Sequence, residues 1–115
     1  MRLAVLSDIH ANLEAFKQVF ADIDQSDVAR IINLGDTIGY GPEPEKVVSR
    51  IRKEGITSIL GNHELGLLDA DEEEGFNPAA LQSLMLTRNH LSKESLDYFK
   101  SLPVNLTVEG GMFVH

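Results

Sequence analysis

Three times within the first 64 residues, an apolar run breaks off into residues able to hold a metal ion. Leu3-Ala4-Val5-Leu6 ends in Ser7-Asp8-Ile9-His10, Ile31-Ile32-Asn33-Leu34 ends in Gly35-Asp36, and Ile56 to Leu60 ends in Gly61-Asn62-His63-Glu64. The first run fits a strand buried on both faces, as in a parallel sheet, and the other two share its grammar. Asp8 and His10 are two apart, so in extended chain their side chains leave the same face. Three strand ends would deliver Asp8, His10, Asp36, Asn62 and His63 to one rim, where open α/β sheets bind ligands. Each pair alone reads equally as a turn or strand exit with a surface histidine. The agreement of all three constrains the chain far more than any one.

Between the runs the apolar residues recur at spacings of three and four. Leu13, Phe16, Val19, Phe20 and Ile23 mark an amphipathic helix over Asn12 to Asp24, with Asn12 a suitable cap. Arg30 to Leu34 is the second strand, which makes a right-handed βαβ unit with parallel strands. Gly35 to Pro44 is a glycine-rich loop, in which Tyr40 either lines a pocket or packs the loop down. A second helix over Lys46 to Lys53 is entered near Pro42 or Pro44 and stopped at Gly55. Ile56 to Leu60 is the third strand.

Beyond Glu64, Leu65, Leu67 and Leu68 predict a short helical turn. Asp69, Asp71, Glu72, Glu73 and Glu74 read as a solvated acidic loop. Asn77-Pro78 starts a helix to about His90, with Leu81, Leu84, Met85 and Leu91 as its apolar face and His90 on the surface. Ser92 caps another helix, ended by Pro103 and carrying Leu96 and Phe99. Asn105 to Val108 and Met112 to His115 form a hairpin about Glu109-Gly110-Gly111.

The 115 residues suffice for one domain, and no apolar run approaches the roughly 18 residues of a membrane helix. The expectation is a cytoplasmic protein that does not engage a membrane. With no cysteine, any metal must be held by oxygen and nitrogen, which favours Mn, Fe, Zn, Ni or Mg. The net charge of −8 argues against broad nucleic-acid binding, although bound divalent ions can reverse the local sign for a small phosphorylated ligand.

Asp8-Ile9-His10, Gly35-Asp36 and Gly61-Asn62-His63-Glu64 resemble, in order and spacing, the three N-terminal motifs of the calcineurin-like metallophosphoesterases. The wording SDIHAN, LGDTIGYGP and GNHE is most similar to the small bacterial phosphodiesterase branch. The resemblance implies an α/β sandwich and a two-metal site that activates water for attack on phosphorus, in a phosphodiesterase or phosphatase. Carried over by position, Asp8 and His10 would bind one ion, Asp36 would bridge both, and Asn62 and His115 would bind the second. His63 would be the catalytic histidine. The cofactor would be two divalent ions (Mn, Fe, Zn or Ni) and the substrate a phosphate ester or nucleotide. Here the chain departs from the pattern, because the family's later Gly-His-x-His motif and much of its second sheet are missing. Residues 1–115 are therefore expected to be one metallophosphoesterase domain lacking its C-terminal part. The alternative expectation is an inactive fragment, acting as a metal- or phosphate-binding or oligomerising module, with homo-oligomers through its unpaired edge.

Overall fold

A computed structural model describes all of residues 1–115. Strands β1 (Leu3–Leu6), β2 (Arg30–Asn33) and β3 (Thr57–Ser58) form a parallel sheet in that spatial order, with Leu3 opposite Arg30 and Ile32 opposite Thr57. Helices α1 (Leu13–Asp24) and α2 (Pro44–Lys53) connect them, as the βαβ reading requires. Next come α3 (Asn62–Leu68), a 3₁₀ turn at Ala70–Glu73, α4 (Pro78–His90) and α5 (Lys93–Lys100). An antiparallel hairpin of β4 (Asn105–Val108) and β5 (Gly111–Val114) closes the chain.

The caps are those the sequence announces. The side chains of Asn12, Asn77 and Ser92 accept the backbone N–H of Ala15, Ala80 and Ser95 respectively, each satisfying a donor that the first helical turn leaves free. Pro44 and Pro78 open their helices.

Two apolar clusters hold the elements together. Phe16 of α1, Val47 and Ile51 of α2, and Ile56 form one, with Leu6 and Ile31 packed against it from the strands. Ile38, Val48, Leu60, Leu67, Leu84, Leu91 and Phe99 form the other, uniting α2 with α3, α4 and α5. Helix α2 thus presents Val47 and Val48 to different clusters and cannot shift without disturbing both.

Four expectations are corrected. β1 is not buried on both faces: it is an edge strand, and Val5, opposite in facing to the packed Leu6, is 46% exposed. β3 is only two residues long, because the Leu60 N–H leaves the ladder for the Pro103 carbonyl. On α4 the buried positions are Ala80, Leu84 and Thr87, and Met85 faces solvent. On α1, Val19 is likewise exposed.

Candidate metal centre

The loops that follow the three strands are stitched to one another by backbone hydrogen bonds. Asp8, His10 and Ala11 donate their N–H groups to the carbonyls of Gly35, Asp36 and Thr37 at 2.8–3.0 Å. Gly41 and Glu43 donate back to the His10 and Ala11 carbonyls. Below them Asn33, fully buried, donates to Thr37 Oγ1 and Ser58 Oγ and accepts the Gly35 N–H, so one amide joins β2 to its own loop and to β3.

This stitching holds an unusual backbone. Asp8, His10, Ala11, Asp36 and Tyr40 all have positive φ, between 48° and 64°, in the left-handed region that non-glycine residues seldom occupy. Such conformations gather where a site over-determines its loops. The same geometry corrects the extended-chain argument for Asp8 and His10: the chain there is left-handed. Their side chains still converge, with His10 Nε2 3.4 Å from Asp8 Oδ1. Asn62 and His63 stand in the first turn of α3 and not on a strand end.

Asp36 is the hub. Its side chain is 5% exposed; Oδ1 accepts the His63 N–H at 2.9 Å, while Oδ2 lies 3.8 Å from His10 Nε2 and 3.3 Å from His115 Nε2. Asp36 therefore belongs to two donor triads, one with His10 and His63 and one with Asp8 and His115, each within a 4.8 Å span. All six residues singled out from the sequence come together, Asn62 through its 2.8 Å approach to His115.

The donor chemistry fits a cation. His10 Nδ1 and His115 Nδ1 each lie 3.0 Å from a backbone carbonyl, of Ile38 and Leu34. A carbonyl only accepts, so both Nδ1 atoms carry a proton and both Nε2 atoms turn towards the carboxylates; in the neutral ring each Nε2 would offer a lone pair there, an arrangement common to metal-bound imidazoles. Asn62 Oδ1 also points at His115 Nε2 across 2.8 Å with carboxylates beside them, so for a neutral His115 ring two lone pairs would face each other. A cation reconciles these contacts. Without one, turning the amide over lets its NH₂ donate to Asp36 and His115 at 2.8–3.2 Å.

His63 is 5% exposed, and its ring lies against those of His10, Tyr40 and Phe76, with centroids 4.8–5.1 Å away. Its buried Nδ1 has no hydrogen-bond partner. Burial lowers its pKa from the usual histidine value, against the opposing pull of Asp36. Gly39 makes room for this ring: its φ is +95°, and a Cβ there would strike His63 Nδ1. The hydroxyl of Ser7, 2.5 Å from Oδ2, is the main influence lowering the Asp8 pKa. Tyr40 is half-exposed, with its ring at the edge of His10 and its N–H held by Ser83 Oγ of α4. It thus borders the site more than it packs the loop down.

One residue carries no role in the sequence motifs as read above. Glu64, wholly buried, accepts the N–H of Asp36 at 2.7 Å, of Gly61 at 2.9 Å and of Ile38 at 3.3 Å. Burial pushes its pKa up to about 7, chiefly against the Gly61 amide. The signal for it is its place at the third position of α3, where a Glu reaches back to the N-cap amide as one half of a capping box, the N-cap here being Gly61 with no side chain to supply the other half.

Fold and site together define a class: an α/β protein whose parallel strands lift a cluster of carboxylate, amide and imidazole donors to one rim. The chain belongs to the calcineurin-like phosphoesterase family, whose sequence model matches residues 1–115. It is 37% identical over 102 residues to an uncharacterised protein of Methanocaldococcus jannaschii, covering 89% of this chain and 42% of that one. A zinc-dependent endopolyphosphatase of Saccharomyces cerevisiae is 30% identical over 94 residues, covering 78% of this chain and 29% of that protein. The crystal structure of a metallophosphoesterase from Sphaerobacter thermophilus superposes with a TM-score of 0.73 at 36% identity, covering 94% of this chain and 44% of that one. The chain thus spans less than half the length of these relatives. No helix is long and apolar enough to cross a membrane.

Proposed function

We propose that residues 1–115 form one domain carrying a two-metal phosphoesterase centre, with Asp8, His10 and Asp36 holding one divalent ion and Asp36, Asn62 and His115 the other. The observation that carries this reading is the position of Asp36, whose carboxylate is common to both donor triads; the division of the other donors between the ions follows the family motifs, since the triads themselves pair Asp8 with His115 and His10 with His63. Mn, Fe, Zn and Ni all suit such oxygen and nitrogen donors.

Bound divalent ions supply Lewis acidity to a phosphoryl oxygen and acidify a nearby water. The chain's own residues do the rest. Asp36 sets the spacing of the two donor sets. His10 and His115 present Nε2 because backbone carbonyls hold their Nδ1–H groups. His63 serves the phosphoryl or leaving oxygen as hydrogen-bond or proton donor. A groove of about 630 Å³ between the Tyr40–Lys46 segment and α4 begins at Tyr40 and takes the organic group of the ester; Pro42, Ser83, Leu86 and His90 are among its walls. Its volume falls within the usual range for small-molecule sites.

A second reading is a metal-binding module without turnover, because the Gly-His-x-His motif that completes the family's two metal sites does not occur in these 115 residues. The test is hydrolysis of bis(4-nitrophenyl) phosphate with Mn²⁺ by the 115-residue chain, with Asp36→Asn alongside and Mn²⁺ binding measured by calorimetry. Turnover that disappears with Asp36→Asn is the expected result. Binding without turnover supports the module, and an Asp36→Asn variant that binds Mn²⁺ as tightly as wild type refutes the centre.

A further inference from the structure

Glu64 is the buried ionisable group that the proposed chemistry leaves unused. It lies at the junction of everything that does the binding. One oxygen, Oε1, accepts the N–H groups of both Asp36 and Gly61, and the other, Oε2, accepts that of Ile38. Asp36 and Ile38 belong to the loop after β2, while Gly61 immediately precedes Asn62 and α3. A single side chain therefore clamps two loops that bring different donors.

The three amides lead on to the donors. The Asp36 amide is the backbone of the residue common to both triads. The Ile38 carbonyl receives the His10 Nδ1–H, so the peptide segment that Glu64 steadies also aims His10 Nε2. The Gly61 amide begins the turn that carries Asn62 and His63, and the His63 N–H returns to Asp36 Oδ1. We infer that Glu64 is a positioning residue: through three backbone amides it fixes Asp36, shared by the two proposed sites, together with His10 of one and Asn62 of the other, and it never touches either ion. This rests on the reading of the cluster as a metal centre.

The carboxylate is specific to the task. A glutamine is the same size but has one acceptor oxygen and one NH₂ group. However it is turned, at least one of the three amides then faces a donor. Removing the negative charge also removes a buried charge whose desolvation works against the fold. Binding and folding should therefore respond differently, which separates positioning from a merely structural role.

The experiment compares wild type, Glu64→Gln and Asp36→Asn by Mn²⁺ calorimetry and by urea unfolding in EDTA. The expected result for Glu64→Gln is an affinity lower by about 10- to 100-fold, the usual loss on removing an outer-shell partner of a metal site. Its urea midpoint without metal should fall by less than the affinity loss corresponds to, because the desolvation relieved offsets part of the hydrogen bonding lost. Unchanged affinity in Glu64→Gln beside a weakened Asp36→Asn overturns the inference while leaving the metal centre standing. A midpoint lowered enough to explain the affinity loss also overturns it, since the carboxylate would then serve folding. Failure of the wild type to bind Mn²⁺ overturns the metal centre and this inference with it. Should Glu64→Gln not fold, Glu64→Asp decides: it keeps the charge but is one methylene too short to span both loops. Affinity within twofold of wild type in that variant overturns the inference.

Discussion

Gly35→Ala is the sharpest perturbation of the rim. Gly35 has φ +102°, and a Cβ there would fall inside contact distance of Gly61 N, Gly61 Cα and the Leu60 carbonyl carbon. These are backbone atoms, so no side chain can swing aside. The conformational penalty of a left-handed residue is about 1–2 kcal/mol. Parting the loops also stretches the 2.7 Å bond from Asp36 N–H to Glu64 and the 2.9 Å bond from His63 N–H to Asp36. Hydrogen bonds to charged groups contribute about 1.5–3 kcal/mol each. The sum, about 4–8 kcal/mol, rivals the ~5–15 kcal/mol total stability of a typical domain. With a slope of ~2 kcal/mol per M urea, the midpoint should fall by about 2–4 M, read by far-ultraviolet circular dichroism. Gly55→Ala is the control. Its φ is +66° and nothing lies within 4 Å, so only the conformational penalty remains. If Gly35→Ala shifts the midpoint no more than Gly55→Ala, the close approach of the two loops is wrong.

Two further predictions concern parts of the molecule away from the donors. Glu45 of α2 accepts from Ser92 Oγ at 2.6 Å, Ser95 Oγ at 2.9 Å and the Ser92 N–H at 3.1 Å. Burial opposes its charge, but these bonds outweigh burial and hold its pKa below 4.5. The contribution of a group depressed in this way is complete above the unfolded pKa and is lost as pH falls through the folded one. Glu45→Gln should therefore lower stability by about 1.5–3 kcal/mol at pH 7, with the gap to wild type closing below pH 4.5 in urea melts. Leu86→Arg fills the groove from α4 without touching a donor. The KM for bis(4-nitrophenyl) phosphate should rise about tenfold, because an aryl group shut out of the groove forgoes about 1.5 kcal/mol of apolar burial, with Mn²⁺ affinity unchanged. An unchanged KM would remove the groove from the substrate path.

The sequence made the order of elements legible because the period changes are sharp and Asn12, Asn77, Ser92, Pro44 and Pro78 act locally. It misled where burial depends on distant neighbours. Val5 looks like core, yet nothing covers its face of an edge strand. Met85 fits a helical stripe, but α4 is rotated so that Ala80, Leu84 and Thr87 point inward. The six residues of the candidate site are legible through residue type and spacing, although an extended chain is the wrong geometry for Asp8 and His10: backbone of positive φ brings them together instead. Glu64 is hard to see in the sequence because its importance lies in three amides, two of them 26 and 28 residues away, and main-chain donors leave no trace in a motif.

Strain and hydrogen bonding oppose each other in the rim. Five non-glycine residues at positive φ, at about 1–2 kcal/mol each, put roughly 5–10 kcal/mol into the loops. Against this stand five backbone bonds between the first two loops, from Asp8, His10, Ala11, Gly41 and Glu43, at about 0.5–1.5 kcal/mol each. Four more involve carboxylates, from Asp36, Ile38 and Gly61 to Glu64 and from His63 to Asp36, at about 1.5–3 kcal/mol each. At about 2.5–7.5 kcal/mol in all, the neutral bonds are comparable with the strain, and the carboxylate bonds, less the cost of burying Asp36 and Glu64, add to them. These bonds are thus of the size needed to hold the rim without a bound ion. An ion bound at the proposed centre would then meet a prepared cage, and its binding energy would go to affinity and charge stabilisation instead of folding the loops.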